Sequence, residues 1–283
     1  MVNHLRDLLV HPLGRRRKLA TLWRFLCWQL VARKQPQKRA WIAGTQIMVS
    51  RGRSGITGNL YWGLHEPHDM AFFMHFLRPG DLFLDVGANL GAYSILSGAL
   101  AGADVLAFEP SPDTYALLKD NLKLNGLETR LGAINAAVGA RLGQIQFTVG
   151  LDALNHVSLE TGANTMTVPV VTLDDAIPKR LVSAIKIDTE GYELEVLKGA
   201  QRVLTGTHPC AVQIEVGTSI QGRAVHAQMV PFGFELAWYD FSNHALQRQE
   251  MPGHANLLFI RGFDLIQQRL KAARRFDVYG MQI

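Results

Sequence analysis

Three stretches of the sequence place acids where an apolar run stops. Residues 83–91 read FLDVGANLG, with Asp85 followed by Gly87 and Gly91. AFEP ends the next apolar run on Glu109, 22 residues after Gly87. IKIDTEGYE, 185–193, sets Asp188 and Glu190 two apart, so on an extended chain they point the same way. A carboxylate so placed can accept hydrogen bonds from hydroxyls, hold an ammonium group, or take a proton from a weak nucleophile. Glycines there let the backbone turn tightly and approach a ligand that a Cβ would obstruct.

The elements that must position these residues are short apolar strands alternating with helices. Strands are expected at 81–87, 104–110, 133–139, 183–190 and 210–217, and helices at 89–102, 111–127 and 192–204. Near-continuous apolar strands joined by helices predict a parallel sheet covered on both faces, an α/β, Rossmann-like fold. In such sheets ligands bind beyond the carboxyl ends of the strands. The residues there are Asp85 with Gly87, Ala88, Asn89 and Gly91, Glu109 with Pro110, Asn135 with Ala136, Asp188 with Glu190, and Glu215. Residues 141–173 interrupt the alternation with a strand at 145–149, a polar loop and VPVVTL. FELAWYD and NLLFIRG, 234–240 and 256–262, read as a hairpin added at the sheet edge.

The glycine spacing is G-x-x-x-G, which lacks the extra glycine that admits a pyrophosphate. A helix beginning near Asn89 would offer free N–H groups to a small anion. Glu109 is placed to accept from both ribose hydroxyls. Together these describe a nucleoside carrying a small charged group, and S-adenosylmethionine fits, its ammonium meeting Asp85 or a nearby carbonyl. Each sign has a plain alternative: a glycine pair is common in α/β turns, and Glu109 alone reads as a solvated acid before Pro110. Their spacing together favours the ligand. Asp188, Glu190 and, on the loop LDALNHVSLE, His156 are the candidates to take a proton from an acceptor hydroxyl. Glu195 reads as the polar face of a helix. His65, Glu66, His68 and Asp69 read equally as a lid on the pocket or as a polar first helical turn. The histidines and cysteines show no metal-ligand spacing, so no metal is expected.

FLDVGANLGAYS, AFEPSPDTYALLKDNLKLNGL, NAAVGA, VTLDDAI and IKIDTEGYELEVLKGA, in this order, resemble the FkbM-family methyltransferases over about residues 64–217. The resemblance implies the seven-stranded class I methyltransferase fold with a C-terminal antiparallel hairpin, S-adenosylmethionine as cofactor, and methylation of hydroxyls on sugars or natural products. It implies that Asp85, Gly87, Asn89 and Gly91, with Ala88, surround the methionine part. Glu109, beside Pro110, would bind ribose, Asn135 and Ala136 would flank adenine, and Asp188 and Glu190 would face the methyl group and acceptor. The expected function is O-methylation of a saccharide or lipid-linked glycan; a small natural product as acceptor, or a non-catalytic scaffold, are the alternatives.

With 48% hydrophobic residues the chain can build a real core. Its charge is divided unevenly. Residues 1–40 carry ten Lys/Arg against Asp7, whereas 41–283 carry 19 basic and 23 acidic residues. An acidic body argues against a nucleic-acid partner, and the two cysteines, far apart, suit reduced thiols in a cytoplasmic setting. The expected divisions are a basic amphipathic arm (1–40), a strand and helix extension (41–78), the methyltransferase domain (79–264) and a tail (265–283). In the arm, RRRKLATLWRFLCWQLVARK, 15–34, spaces Leu19, Leu22, Trp23, Leu26 and Leu30 as on one helix face, interrupted by Arg24 and too short to span a bilayer. Two readings stand: a helix lying on the inner face of an anionic membrane, slightly favoured by the charge excess, or a helix packed on the body with its charges in water. Oligomeric state is not legible.

Overall fold

The computed structural model describes residues 10–52, 54–129, 131–148, 150, 156–158, 164–177, 179–251 and 255–283. Most of the loop around His156, and the first nine residues of the arm, lie outside them. The chain enters through a 3₁₀ turn, Gly14–Arg17, into helix α1, Lys18–Val31. Strands β1 (Gln37–Ala40) and β2 (Gln46–Val49) form a hairpin, followed by α2 (Ser54–Trp62) and α3 (Pro67–Phe76). Residues 41–63 read as strands and turns, yet Ser54–Trp62 is helical. Its Gly58 has a packing reason: a Cβ there would come within 2.9 Å of the Trp62 ring and 3.0 Å of His65. Helix α3 starts on Pro67, whose missing N–H costs nothing in a first turn, and buries Met70, Phe72, Phe73 and Phe76.

Strand and helix then alternate through β3 (Leu82–Val86), α4 (Ala92–Ile95, continued by a π turn Leu96–Leu100), β4 (Asp104–Phe108), α5 (Pro112–Leu124) and β5 (Leu131–Ile134). An excursion follows: β6 (Ala137–Val138), β7 (Gly143–Thr148), β8 (Val157–Ser158) and β9 (Thr165–Val171) make a separate four-stranded sheet. The expected single strand over 133–139 is therefore broken at Asn135. The chain returns through α6 (Leu173–Ala176), β10 (Ala184–Ile187), α7 (Glu193–Lys198), α8 (Gln201–Leu204), β11 (Cys210–Val216) and α9 (Ser219–Met229). It ends with β12 (Glu235–Asp240), β13 (Ala245–Arg248), β14 (Ala255–Arg261), α10 (Phe263–Lys271) and a small hairpin of β15 (Asp277–Val278) and β16 (Met281–Gln282).

The main sheet runs β13-β12-β14-β11-β10-β3-β4-β5 among the described residues, eight strands where seven are expected. The additional strand is β13, which pairs with β12 only. Its Gln247 and Arg248 are exposed, as an edge strand allows, so it reads as a hydrophilic bend. The expected C-terminal hairpin is also placed differently. β14 is antiparallel to both β11 and β12 and lies between them. Leu257, Leu258, Phe259 and Ile260 are all buried, as a strand covered on both faces requires.

Side chains alternate across the sheet. Phe83 and Val105 join the core under α3 and α4, while Leu82, Leu84, Val86 and Leu106 join the one under α7 and α9. The N-terminal hairpin is tied to this body by two asparagines of and just after α5. Asn121 accepts from the Met48 amide and donates to the Leu90 carbonyl (2.7 Å); Asn125 accepts from the Gln46 amide.

Candidate active site

The carboxyl ends of β3, β4, β10 and β11 open on one cavity of about 250 Å³. At one end stands Glu109, last of the β4 run. Its Oε2 accepts from the Asn89 amide (3.0 Å) and its Oε1 from the Ser111 amide (2.9 Å). Each oxygen keeps a further lone pair, so the carboxylate can still accept two hydroxyls. Burial pushes it up to about 7. Phe108, Pro110, Ala136 and Val138 give this end small apolar walls suited to a flat ring. The residues present therefore fit a nucleoside.

The β3 turn holds itself together. The amides of Gly87 and Ala88 donate to the Phe108 carbonyl (3.0 and 2.9 Å), that of Asn89 to Glu109, and that of Gly91 to the Ala88 carbonyl (2.8 Å). The Asn89 and Gly91 amides are thus engaged, because the helix starts later than expected, at Ala92, and the turn before it folds onto β4. The glycines also serve packing. A Cβ on Gly87 (φ +75°) would lie 1.8 Å from the Asp188 carbonyl oxygen, and one on Gly91 (φ +83°) 2.5 Å from Leu118. Gly87 is where the β3 and β10 exits touch.

The other end is charged. Lys186, buried in β10, pairs with Asp188 (2.9 Å), and its ammonium lies 4.9 Å from the Tyr93 ring centroid. Burial would lower it, but Asp188, Asp85 and Glu66 carry it above the ordinary lysine value. Glu190, in a left-handed conformation (φ 51°), and Glu215 complete the wall with Glu66 of the α3 entry. Glu215 is the exposed member of β11, yet desolvation of its carboxyl in the cavity mouth, then Asp188 and Glu66, push it up to about 8; desolvation and Asp188 likewise raise Glu190, also exposed. Behind them Asn256 donates to Glu66 (2.6 Å) and Asp69 (2.9 Å), and the Tyr93 hydroxyl donates to Glu66 (2.7 Å). Burial, then Glu66, push Asp69 up to about 7. His65 also lines the cavity.

Of the sequence-predicted residues, Gly87, Ala88, Asn89, Glu109, Pro110, Ala136, Asp188 and Glu190 line this one cavity. Asp85 lies beneath it, fully buried, accepting from the Ser94 hydroxyl (2.6 Å) and raised by burial. Gly91 supports the turn. Asn135 stands behind the wall, its amide donating to the Glu109 and Pro110 carbonyls (2.8 and 3.0 Å) and so fixing the β4 exit. His156 is exposed on the small sheet, and its charge reaches Glu190 from outside. Glu193, at the start of α7, is buried. One of its oxygens accepts from the Thr189 amide (3.1 Å), the Thr189 hydroxyl (3.0 Å) and the Gly191 amide (3.0 Å), which clamps the turn carrying Glu190. Glu215, singled out at the end of its strand, also lines the cavity, as does Lys186, which sequence reasoning did not pick out although it sits on a strand whose end it singled out. Among the described residues no group of three or more His, Cys, Asp and Glu is placed to hold a metal ion.

Residues 85–247, more than half of the chain, match the model of the methyltransferase FkbM domain. The chain belongs to the FkbM methyltransferase family. The match begins at Asp85 and runs past the expected 217 to the edge strand β13. Among similar proteins, hexuronic acid methyltransferase AglP of Haloferax volcanii is 29% identical over 48% of this chain and 57% of its own length. Methyltransferase sdnD of Sordaria araneosa is 27% identical over 44% of this chain and 61% of its own. The 31-O-demethyl-FK506 methyltransferase FkbM of Streptomyces tacrolimicus is 29% identical over 44% and 61%. The chain spans about six-tenths of the length of these relatives. Among the cavity residues, Ile56, His65, Glu66 and Met70 precede the matched segment.

Proposed function

We propose that the protein is an S-adenosylmethionine-dependent O-methyltransferase whose acceptor is a hydroxyl of a saccharide or lipid-linked glycan. The observation that carries this reading is the division of one cavity. Glu109, with lone pairs to spare between apolar walls, stands at one end, and Glu66, Asp188, Glu190 and Glu215 at the other. The family adds its chemistry, and two relatives carry names that specify a hexuronic acid and a demethylated hydroxyl of a natural product.

The cofactor supplies an electrophilic methyl group; the chain must hold the acceptor behind it and remove a proton. Glu109 would accept the ribose hydroxyls. Asp188, held by Lys186, would orient the acceptor hydroxyl. Glu215 would take its proton as the new bond forms, since a carboxylate raised to about 8 is a stronger base than an ordinary one. Four carboxylates against Lys186 also make this wall a poor host for another anion. A neutral polyol therefore suits it better than a uronic acid.

The test has two parts. Calorimetric titration with S-adenosylhomocysteine should show binding that weakens about a hundredfold in Glu109→Ala, the loss of two charge-assisted hydrogen bonds. Methyl transfer from labelled cofactor should then favour neutral over uronic glycosides. No binding by the native protein would remove the cofactor reading and bring the scaffold forward. Preference for uronic acceptors would overturn only the acceptor reading.

A further inference from the structure

The outer face of α1 is apolar. Leu19, Trp23, Leu26 and Leu30, at i, i+4, i+7 and i+11, are 85, 68, 46 and 86% exposed. On the opposite face Thr21 and Trp28 are buried, and Phe25 meets Tyr61 of α2 edge to face. Arg24, the charge that interrupts the apolar run, is turned inward. Its guanidinium donates to the Tyr61 carbonyl (2.8 Å) and lies 4.4 Å from the Tyr279 ring centroid. The stripe facing solvent is therefore uninterrupted, although the helix already packs on the body through its other side. Exposed cations stand at both its ends, Arg15, Arg16, Arg17 and Lys18 before it and Arg33 and Lys34 after it. The sequence holds no acid between Asp7 and Glu66 to balance them.

We infer that α1 docks the protein on an anionic lipid surface, with its outer stripe at the acyl boundary and its basic ends among the headgroups. Charge complementarity selects this occupant, since a like copy of the arm would bring cations against cations. The helix is about 21 Å long, and no described helix is long and apolar enough to cross a membrane, so the contact lies along the surface. The docked helix is also close-coupled to the cavity rim. His11, just before the 3₁₀ turn, accepts at Nδ1 from the Leu13 and Gly14 amides, so its Nε2–H donates to the His65 carbonyl (2.9 Å). Its ring stacks on Trp62 of α2, which stacks on His65. His65 and Ile56 line the cavity. The docking itself does not depend on which acceptor is methylated.

Co-sedimentation of the full chain with phosphatidylcholine vesicles, with and without phosphatidylglycerol, tests this. Binding should require the anionic lipid and weaken with salt. The Trp23→Ser/Leu30→Ser variant, and separately Lys18→Gln/Arg33→Gln/Lys34→Gln, should each partition about tenfold or more weakly. S-adenosylhomocysteine titration reports folding, because these side chains point away from the body. Failure of the native chain to sediment, or binding retained by both variants, would overturn the inference. So would a dimer in sedimentation velocity that the Trp23→Ser/Leu30→Ser variant converts to monomer, since the stripe would then belong to a second copy.

Discussion

At the Glu109 end of the cavity the wall is backbone turn and small apolar side chains. At the Glu215 end it is charged side chains drawn from α3, β10, β11 and the turn clamped by Glu193. The first end is assembled from two neighbouring strand exits that hydrogen-bond one another, Phe108 and Glu109 accepting the amides of 87–89. The second is assembled at a distance: Asn256, late in the chain, reaches Glu66 and Asp69 near its start. The residues named at the Glu109 end lie inside the segment matched by the family, whereas Glu66 and its partner Asn256 lie outside it.

The sharpest way to break the contrast is where the β3 and β10 exits meet most closely, at Gly87. Gly87→Ala would drive a Cβ into the Asp188 carbonyl in a backbone conformation that alanine resists. We expect a destabilisation of about 3 kcal/mol, from overpacking and left-handed strain together. Tm should fall by roughly 5 °C for a chain of this size, with loss of S-adenosylhomocysteine binding and of transfer together. Unchanged melting and binding would mean that the two exits move independently, and that the ends are not rigidly joined.

A second substitution separates them. Glu215→Gln removes the proposed base and leaves Glu109 untouched, so cofactor binding should persist while kcat falls about a hundredfold or more. Single-turnover methyl transfer under saturating cofactor measures it. An equal loss in binding and turnover would place Glu215 at the cofactor instead. Asp188→Asn is a less clean probe, because it leaves Lys186 buried without its nearest anion.

The same contrast governs what could be read from sequence. The β3 turn, Glu109, Ala136 and the Asp188–Glu190 pair were legible because each lies at the end of a short apolar run, and local pattern fixes both strand and end. Glu66 and Asp69 could not be separated from an ordinary polar first turn, because their role is set by Tyr93 and Asn256, far away in sequence. Lys186 is a charge inside a buried strand, which local pattern does not account for; only the ring of Asp188, Asp85 and Glu66 explains it. The position of β14 was misread for a related reason. A hairpin pattern shows which strands pair with each other, but not that one of them inserts beside β11. The outward stripe of α1 was visible as periodicity, but which face turns inward is decided by Arg24 meeting Tyr61 and Tyr279.

Lys186→Met sharpens the acceptor end with a smaller effect. The ammonium lowers both Glu215 and Glu190, so its removal should raise them further. If the base must be ionised, turnover falls as pH drops through the Glu215 value of about 8. In the variant that fall should begin at higher pH. The pH dependence of kcat, with melting curves to monitor the fold, reads this shift. A limb that moves to lower pH, or stays in place, would show that the titrating group does not feel the charge of Lys186.

The smallest effect is expected at His156. It lies exposed beyond the acceptor end, its amide donating to the Thr148 hydroxyl (2.8 Å) and its carbonyl accepting from the Thr148 amide (2.9 Å). Those backbone bonds keep β7 and β8 together whatever the side chain, so His156→Ala should leave melting unchanged. The imidazole's charge lowers Glu190 from outside the cavity, and its loss raises Glu190 only through solvent, where screening is strong. We expect kcat to change by less than about threefold, since a general base in contact with substrate would cost a hundredfold or more. A loss on that larger scale at saturating acceptor, with cofactor affinity intact, would bring the small sheet into the reaction.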